Sequence, residues 1–522
     1  MDIFTEKNRD ILEKLFKQHA INLKCGNIFD RSPEPLPNNF DFDRIEGMML
    51  GLAIGDSLGR TTEGKLPGKR RSIYGEIRDY LPTHHTKEKA IGLPSDDTQL
   101  AFWTLEQMLE DGGFIPDNVA RSFTRDRIFG IGSAVKRFLK NYKSGIPWYE
   151  SGTKSAGNGA LMRIAPMLIP HLESPSADLW VDTAISAMIT HNDSGSIAGC
   201  VSFVNILWQL LRMDSAPRQE WWLETYVDVA KDLELNKKYR PRGGDFMDYE
   251  GPIWRFVEKK VGDAHRRNIP INEAFRSWYS GAYLLETIPC VLLILMKYGD
   301  DLEEAIVRAV NDTKDNDTIA AIVGAAVGAL HGKKGIPERW ISKLSGRTRE
   351  KDDGKIFEIL DTARKFGVTG SPETRINYIP WNHNEKHHDG AFGGAGKKYQ
   401  LISLKTGKES NCELREQNNE ISIIFQNGDV ISELLTGFDF FDSFNCLQEK
   451  LKKMSIQLKA CGQCLYFGFS SMAYQCSEGE AGYCTFPKGL DVGSEGTVDV
   501  LGVCDCFELR RKETSTSPFL PA

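Results

Sequence analysis

From Thr318 the chain reads TIAAIVGAAVGALHG, an apolar run in which Ala320, Ala321, Gly324, Ala325, Ala326, Gly328 and Ala329 recur. Small side chains let neighbouring helix backbones approach closely, so the run predicts a buried central helix. The acids that lead into it, Asp315 and Asp317, then belong near the middle of a bundle and not at its rim. From about Phe42 to Leu344 further apolar residues recur at helical spacing, as in AISAMIT, VSFVNILWQLL, AYLLETIPCVLLILMKYG and LEEAIVRAV. Strand-like alternation is scarce there. The expectation is a large all-α, multi-helix domain over residues 42–370, ending with a helix from about Gly354 to Phe366. An N-terminal helical extension over 1–41 precedes it, with an amphipathic helix around Asp10 to His19 and the connector RSPEPLPNNFD.

At 522 residues the chain exceeds the usual single-domain size, and the pattern changes where a second domain is expected. VTGSPETRINYIPWNHNEKHHDGAFGGAGKK is rich in glycine, histidine and polar residues, which marks a linker over about 371–397. His383, His387 and His388 read as part of a solvated loop. KYQLISL, ELREQNNEISIIF and DVISELL then alternate like strands, and Asn427-Gly428 is the pair favoured in a two-residue hairpin turn. A small β-containing, cysteine-rich C-terminal domain over 398–522 follows.

Two places in the helical domain set closely spaced carboxylates before a long apolar helix: Ser95-Asp96-Asp97-Thr98, and Asp315-Asn316-Asp317-Thr318. Ser, Thr and Asp cap exposed helix amides and complement the positive end of the dipole, so either cluster alone reads as a helix start. Capping needs only one such side chain, however. Additional carboxylates repel one another unless water or cations neutralise them. Hard divalent cations prefer oxygen ligands, and two clusters with a hydroxyl and two carboxylates each suit two such ions if the helix starts converge. A calcium-loop reading fails, because DNDTIAAIVGAA lacks the later oxygen ligands and the intervening glycine. Cap and metal site both stay open on spacing alone.

Five stretches in order, GMMLGLAIGDSLGRTTEG from Gly47, SDDTQ from Ser95, GNGALMRIAP from Gly157, THND from Thr190 and NDTKDNDTIAAIVGAAVGALHG from Asn311, resemble the ADP-ribosylglycohydrolases. That family includes the dinitrogenase reductase-activating glycohydrolases and the ADP-ribosyl-acceptor hydrolases. The resemblance implies an all-helical fold with two magnesium or manganese ions held by Ser95, Asp96, Asp97, Asp315, Asp317 and Thr318. Glu63 falls where some relatives carry a functional glutamate on a mobile loop. Gly157, Asn158 and Gly159 look like a phosphate- and ribose-binding segment, and glycines do allow a backbone to approach a pyrophosphate. His191 falls where relatives contact the adenosine side. Arg163 suits either a phosphate or a buried structural partner. Thr313 and Lys314 stand where relatives often have glycines, and Asn192 where they often have proline.

The implied reaction is hydrolysis at the anomeric carbon of ADP-ribose, with Asp97, Asp96 and Glu63 as catalytic residues and Asp97 as proton acceptor. ADP-ribosyl-arginine on a protein is the expected substrate, on resemblance to bacterial-type relatives. Serine-linked, nucleotide-linked and small-metabolite ADP-ribose are alternatives, as are a non-catalytic ADP-ribose binder that blocks a partner and a dinuclear phosphohydrolase.

Cysteines are sparse before residue 400 and crowd into the tail, as ACGQCLYF, GYC and VCDCF. With no apolar signal segment at the N-terminus, a disulfide framework is not expected. Cys461, Cys464, Cys484 and Cys504 have spacings that suit zinc or an iron-sulfur cluster in a module at 461–507, with Cys476 and Cys506 as rival ligands or all as plain reduced thiols. Such a module suits recruitment of a protein partner, redox sensing or the stapling of a small fold. The balance of 65 basic and 72 acidic residues, a formal net charge of -7, argues against broad attraction to nucleic acid or anionic membrane. No apolar stretch is long enough to span a membrane, so a cytoplasmic location is expected.

Overall fold

The computed structural model describes residues 7–369 and, beyond them, the backbone of eight short strands between 397 and 499. The chain divides into two compact units, Met1–Asn377 and Tyr378–Ala522.

The first unit is helical. Its α-helices run in chain order as α1 (Asn8–Lys17), α2 (Asp43–Arg60), α3 (Pro67–Tyr74), α4 (Asp96–Asp111), α5 (Pro116–Ser122) and α6 (Ser133–Lys143). There follow α7 (Trp148–Ser151), α8 (Asp178–Thr190), α9 (Ser194–Leu210), α10 (Gln219–Leu233), α11 (Ile253–Arg266) and α12 (Ile271–Trp278). The last are α13 (Leu284–Tyr298), α14 (Leu302–Asp312), α15 (Asn316–His331), α16 (Glu338–Ile341) and α17 (Lys355–Thr369). None of the described helices is long and apolar enough to cross a membrane.

The centre of this unit is the pairing of α2 with α15, and the sequence explains why they meet so closely. Gly47, Gly51, Gly55 and Gly59 recur every four residues, so they form one stripe down α2. Added Cβ atoms at those positions would collide with the backbones of Gly328, Gly324, Ala320 and Asp317 respectively. The small-residue run of α15 supplies the facing groove, and residues 316–330 of α15 are all buried. The expected central helix is therefore observed, and its N-terminus abuts the C-terminal turn of α2.

Around this pair the apolar faces of α4, α8, α9 and α13 complete one continuous core. α1 belongs to the same core: Ile11, Leu12 and Leu15 are buried in it. Its first residues are fixed by Asn8 Nδ2, which donates to Asp182 Oδ1 at 2.7 Å and to the Phe114 carbonyl at 2.9 Å.

In the second unit the described backbone forms two antiparallel sheets. One has the order β4-β3-β2-β1-β5, from β1 (Lys397–Ser403), β2 (Glu409–Gln417), β3 (Glu420–Phe425), β4 (Val430–Leu434) and β5 (Ile456–Lys459). The other has the order β6-β7-β8, from β6 (Phe467–Phe469), β7 (Ala481–Cys484) and β8 (Thr497–Asp499). Of the four cysteines singled out as ligands, only the backbone of Cys484 is described. Cys461, Cys464 and Cys504, with Cys476, Cys506 and the three linker histidines, lie outside the described residues.

Candidate active site

Three helix ends build an acidic centre in the first unit. Asp56, in the last turns of α2, reaches the start of α4. Its Oδ2 accepts from the amides of Ser95 at 2.8 Å and Thr98 at 3.2 Å, and from the Thr98 hydroxyl at 2.5 Å. Ser95 stands at the N-cap, where its Oγ accepts from the Asp97 amide at 3.4 Å. Asp56 and Ser95 thus satisfy the amides at this helix start, and the carboxylates of Asp96 and Asp97 are not needed as caps. At α15 the N-cap residue is Asp315, yet its side chain caps nothing and accepts from Asn158 Nδ2 at 2.6 Å.

The two acid clusters converge. The Thr318 hydroxyl donates to Asp97 Oδ1 at 3.2 Å and Oδ2 at 3.3 Å. Carboxylate oxygens of Asp56, Asp97 and Asp317 lie within 4.8 Å of one another, and so do those of Glu63, Asp315 and Asp317. Asp317 is common to both groups. Asp96 is buried beside them and enters neither group.

This crowding has an electrostatic consequence. Burial, reinforced by neighbouring carboxylates, pushes Asp97 and Asp317 well above the ordinary carboxylate range. Burial does the same to Asp96, with Arg60 opposing it, and lifts Asp315 to about 7. The countercharge at hand is Arg60, at the end of α2, whose Nη1 donates to Glu63 Oε2 at 2.6 Å. Burial opposes its charge, yet Glu63, Asp317, Asp96 and Asp56 outweigh that and raise its pKa. Asp56 Oδ1 and Arg60 Nη2 are buried with no hydrogen-bond partner. Two triads of oxygen donors, excess negative charge and an orphaned buried carboxylate oxygen fit hard divalent cations.

The Gly157-Asn158-Gly159 segment lies beside His191. A Cβ on Gly159 would press on the His191 ring, which explains the glycine. Asn158 is used structurally, since its amide nitrogen is shared between Asp315 and Thr287 Oγ1. The Thr190 hydroxyl accepts from Arg163 Nη2 at 2.9 Å and lies 2.9 Å from His191 Nδ1. A hydroxyl oxygen can accept twice, so the direction of this second contact follows the tautomer of the ring. Burial and the Arg163 charge push His191 down to about 3, so the ring is neutral.

Arg163 is fully buried, bonds Ser186 and Thr190 and stacks over Phe123 with 5.0 Å from its guanidinium carbon to the ring centre. Of its two sequence readings the structural one fits. Lys314 turns its ammonium onto Tyr279, donating to the hydroxyl at 2.5 Å. Asn192 clamps the N-terminal extension: its Oδ1 accepts from the Asn22 amide at 2.9 Å and its Nδ2 donates to the Ala20 carbonyl at 2.7 Å.

The family model for ADP-ribosylglycohydrolase matches residues 37–366. The chain belongs to the ADP-ribosylglycohydrolase family. Among its relatives, an ADP-ribosylarginine hydrolase Tri1 of Pseudomonas putida is 27% identical over 58% of this chain and 74% of its own length. The ADP-ribosyl-[dinitrogen reductase] glycohydrolase of Rhodospirillum rubrum is 27% identical, over 62% of this chain and 97% of its own. The ADP-ribosylhydrolase ARH3 of Xenopus tropicalis is 25% identical, over 62% and 98%. The ADP-ribosylglycohydrolase match thus takes in all three helix ends of the acidic centre and leaves the C-terminal unit outside it.

Asp56 and Arg60 are the site residues that sequence reading did not single out. Both stand in GMMLGLAIGDSLGRTTEG, where a lone acid within a glycine-spaced helix was the available signal.

Proposed function

We propose that the first unit is a divalent-ion-dependent hydrolase that releases ADP-ribose from a modified substrate, with ADP-ribosyl-arginine on protein as the preferred linkage. The observation that carries this reading is the pair of carboxylate triads sharing Asp317, inside a family of ADP-ribosyl hydrolases.

Magnesium or manganese would be held by Asp56, Asp97, Asp317, Glu63 and Asp315, with the hydroxyls of Ser95 and Thr318 and the carboxylate of Asp96 at hand. Bound there, such ions supply Lewis acidity and orient hydroxyl groups and water. Asp97 is the residue we assign to accept a proton from the attacking water, since its carboxylate is oriented by Thr318 and burial gives it a raised proton affinity. Asn158 positions Asp315, and Arg60 pairs with Glu63 until an ion takes its place. Neutral His191 lies beside Gly157 and Gly159, where we assign it to the adenosine side of the ligand and the glycine segment to its phosphates and ribose. The cysteine-rich, β-containing C-terminal domain is proposed as a partner-recruiting module with zinc or an iron-sulfur cluster on Cys461, Cys464, Cys484 and Cys504.

The test is release of ADP-ribose, separated from AMP, from arginine- and serine-linked ADP-ribosyl peptides with and without added magnesium or manganese. Magnesium-dependent ADP-ribose release from the arginine peptide supports the reading, and the serine peptide alone would move the linkage. AMP as product, or turnover unchanged in Asp97→Ala, would overturn it. Metal analysis of the whole chain tests the tail: iron with visible absorption or zinc near one equivalent supports the module, and neither rejects it.

A further inference from the structure

A cavity lies against the loop that leads into Asp315, with Asp312 and Lys314 in its wall. It has a volume of about 550 Å³, in the range that accommodates a small molecule, and Lys69, Arg71, Arg276, Lys314, Phe275 and Tyr279 are among its lining residues. None of the acidic-centre carboxylates, the Gly157–Gly159 segment or His191 lines it. It is therefore a compartment of its own, although Ser280 in its wall accepts from the amides of both Lys314 and Asp315, at 3.1 and 3.0 Å.

The charge balance of this cavity is lopsided. It contains four cationic side chains against two acids, Glu76 and Asp312. Both acids are already answered: Glu76 pairs with Arg78 and Arg308, and Asp312 pairs with Arg308. Burial raises the Asp312 carboxyl, with Arg308 and then Arg71 opposing it, and among the described residues Lys69 and Arg276 form no ion pair. The Lys314 ammonium has a neutral phenol as its partner, lying 4.4 Å from the centre of the Tyr279 ring. Tyr279 takes a left-handed backbone at φ 70°, one of few non-glycine residues to do so, and ends α12 there.

Like charges gathered at a concave surface repel unless an anion enters. Two guanidinium groups and two ammonium groups are the donors that recognise phosphate. We propose that this cavity binds a phosphate-bearing small molecule, separately from the acidic centre, against the loop that holds Asp315. The ligand chemistry is an anionic phosphate or diphosphate, whether free or carried by a nucleotide.

The experiment uses the full chain stripped of metal with EDTA, so that no ion in the acidic centre captures phosphate and the outcome does not depend on the hydrolase reading. Inorganic pyrophosphate, AMP and adenosine are titrated separately by calorimetry. Saturable binding of pyrophosphate is expected, weakened at least about tenfold in Lys69→Glu/Arg276→Glu and largely retained in Arg276→Lys. These side chains are exposed, so the variants are expected to fold, and an unchanged melting temperature checks it. AMP binding more tightly than pyrophosphate would assign part of the recognition to the nucleoside; equal affinities would assign it to phosphate alone. Unaltered pyrophosphate binding in the double variant, binding of adenosine alone, or no saturable binding of either phosphate compound overturns the proposal.

Discussion

Asp56 holds Thr98 by both its amide and its hydroxyl, at 3.2 and 2.5 Å, and so stitches α2 to the first turn of α4 across 42 residues of chain. The same carboxylate keeps its other oxygen buried beside Asp97 and Asp317. Structural and ligating roles can be separated by substitution. Asp56→Asn keeps an acceptor for the amides and removes the charge; Asp56→Ala removes both and leaves buried donors unpaired, at about 1–3 kcal/mol for each such group. Asn is expected to lower the melting temperature slightly and weaken magnesium binding by roughly 10–100-fold, as loss of a supporting ligand does. Ala should lose both affinity and several degrees of melting temperature. Calorimetry and thermal melts on the two variants read this directly.

Asp317 is shared by both carboxylate triads, whereas Asp315 belongs to one. Asp317→Ala is therefore expected to abolish binding of both ions and all turnover. Asp315→Ala should remove one equivalent and leave the other measurable. Stoichiometry by equilibrium dialysis with manganese distinguishes them, and two equivalents retained in Asp317→Ala would refute the shared-ligand geometry.

Arg60 competes with cations for Glu63. Its Nη1 lies 2.6 Å from Glu63 Oε2, and it is buried among the same acids that would hold an ion. A fixed positive charge about 4 Å from a divalent ion disfavours it by about 2–8 kcal/mol, depending on local screening. Arg60→Met should accordingly tighten the weaker of the two manganese sites by roughly tenfold or more. It should also destabilise the metal-free protein, whose carboxylates lose their nearest buried countercharge. A weakened second site would mean that Arg60 organises Glu63 for the ion instead of opposing it.

Stability of the metal-free protein should fall as pH rises. Burial raises the folded-state pKa of Asp315 from 3.8 to about 7, and Asp97 and Asp317 rise with it. A carboxyl whose pKa is higher folded than unfolded binds more protons in the native state, so its contribution is fully present below the unfolded pKa. That contribution is lost as pH climbs through the folded value. Between about pH 5 and about pH 8 the EDTA-treated protein is expected to lose on the order of 2 kcal/mol. Saturating magnesium should reverse the trend, since ions bind the deprotonated ligands and their affinity grows with pH. Parallel melting curves with and without magnesium would contradict the acidic centre as an ion site.

What the sequence made legible followed from short-range patterns. The period of 3.6 identified the helical unit, and the small residues of α15 announced its place in the core, because close backbone approach tolerates little else. The acid pairs were visible since each lies within four residues. Asp56 escaped because its partners, Ser95 and Thr98, stand 39 and 42 residues away and no local spacing encodes that contact. Asn158 reads from the sequence as facing ligand; its bond to Asp315, 157 positions on, is a further contact that no local spacing encodes. Arg60 carries no cap, turn or motif signature of its own; its role arises only when three helix ends meet.

Asn192 stands where the family resemblance leads to an expectation of proline, and the structure gives its side chain a role of its own. Its side chain accepts from the Asn22 amide and donates to the Ala20 carbonyl, while Asn22 Nδ2 returns a bond to the Asn192 carbonyl at 3.0 Å. This closed set fastens the segment after α1 to the turn immediately following His191. Proline at 192 would delete both side-chain bonds. Asn192→Ala is therefore expected to leave one part-buried amide and one part-buried carbonyl underused and cost about 1–2 kcal/mol. The first effect should be local: faster hydrogen exchange at Ala20 to Leu23 and in α1, ahead of any change in α15. Because His191 is the adjoining residue, KM for the ADP-ribosyl substrate should rise more than kcat falls. Exchange unchanged in α1 would show that the buried Ile11, Leu12 and Leu15 hold the extension without the Asn192 clamp.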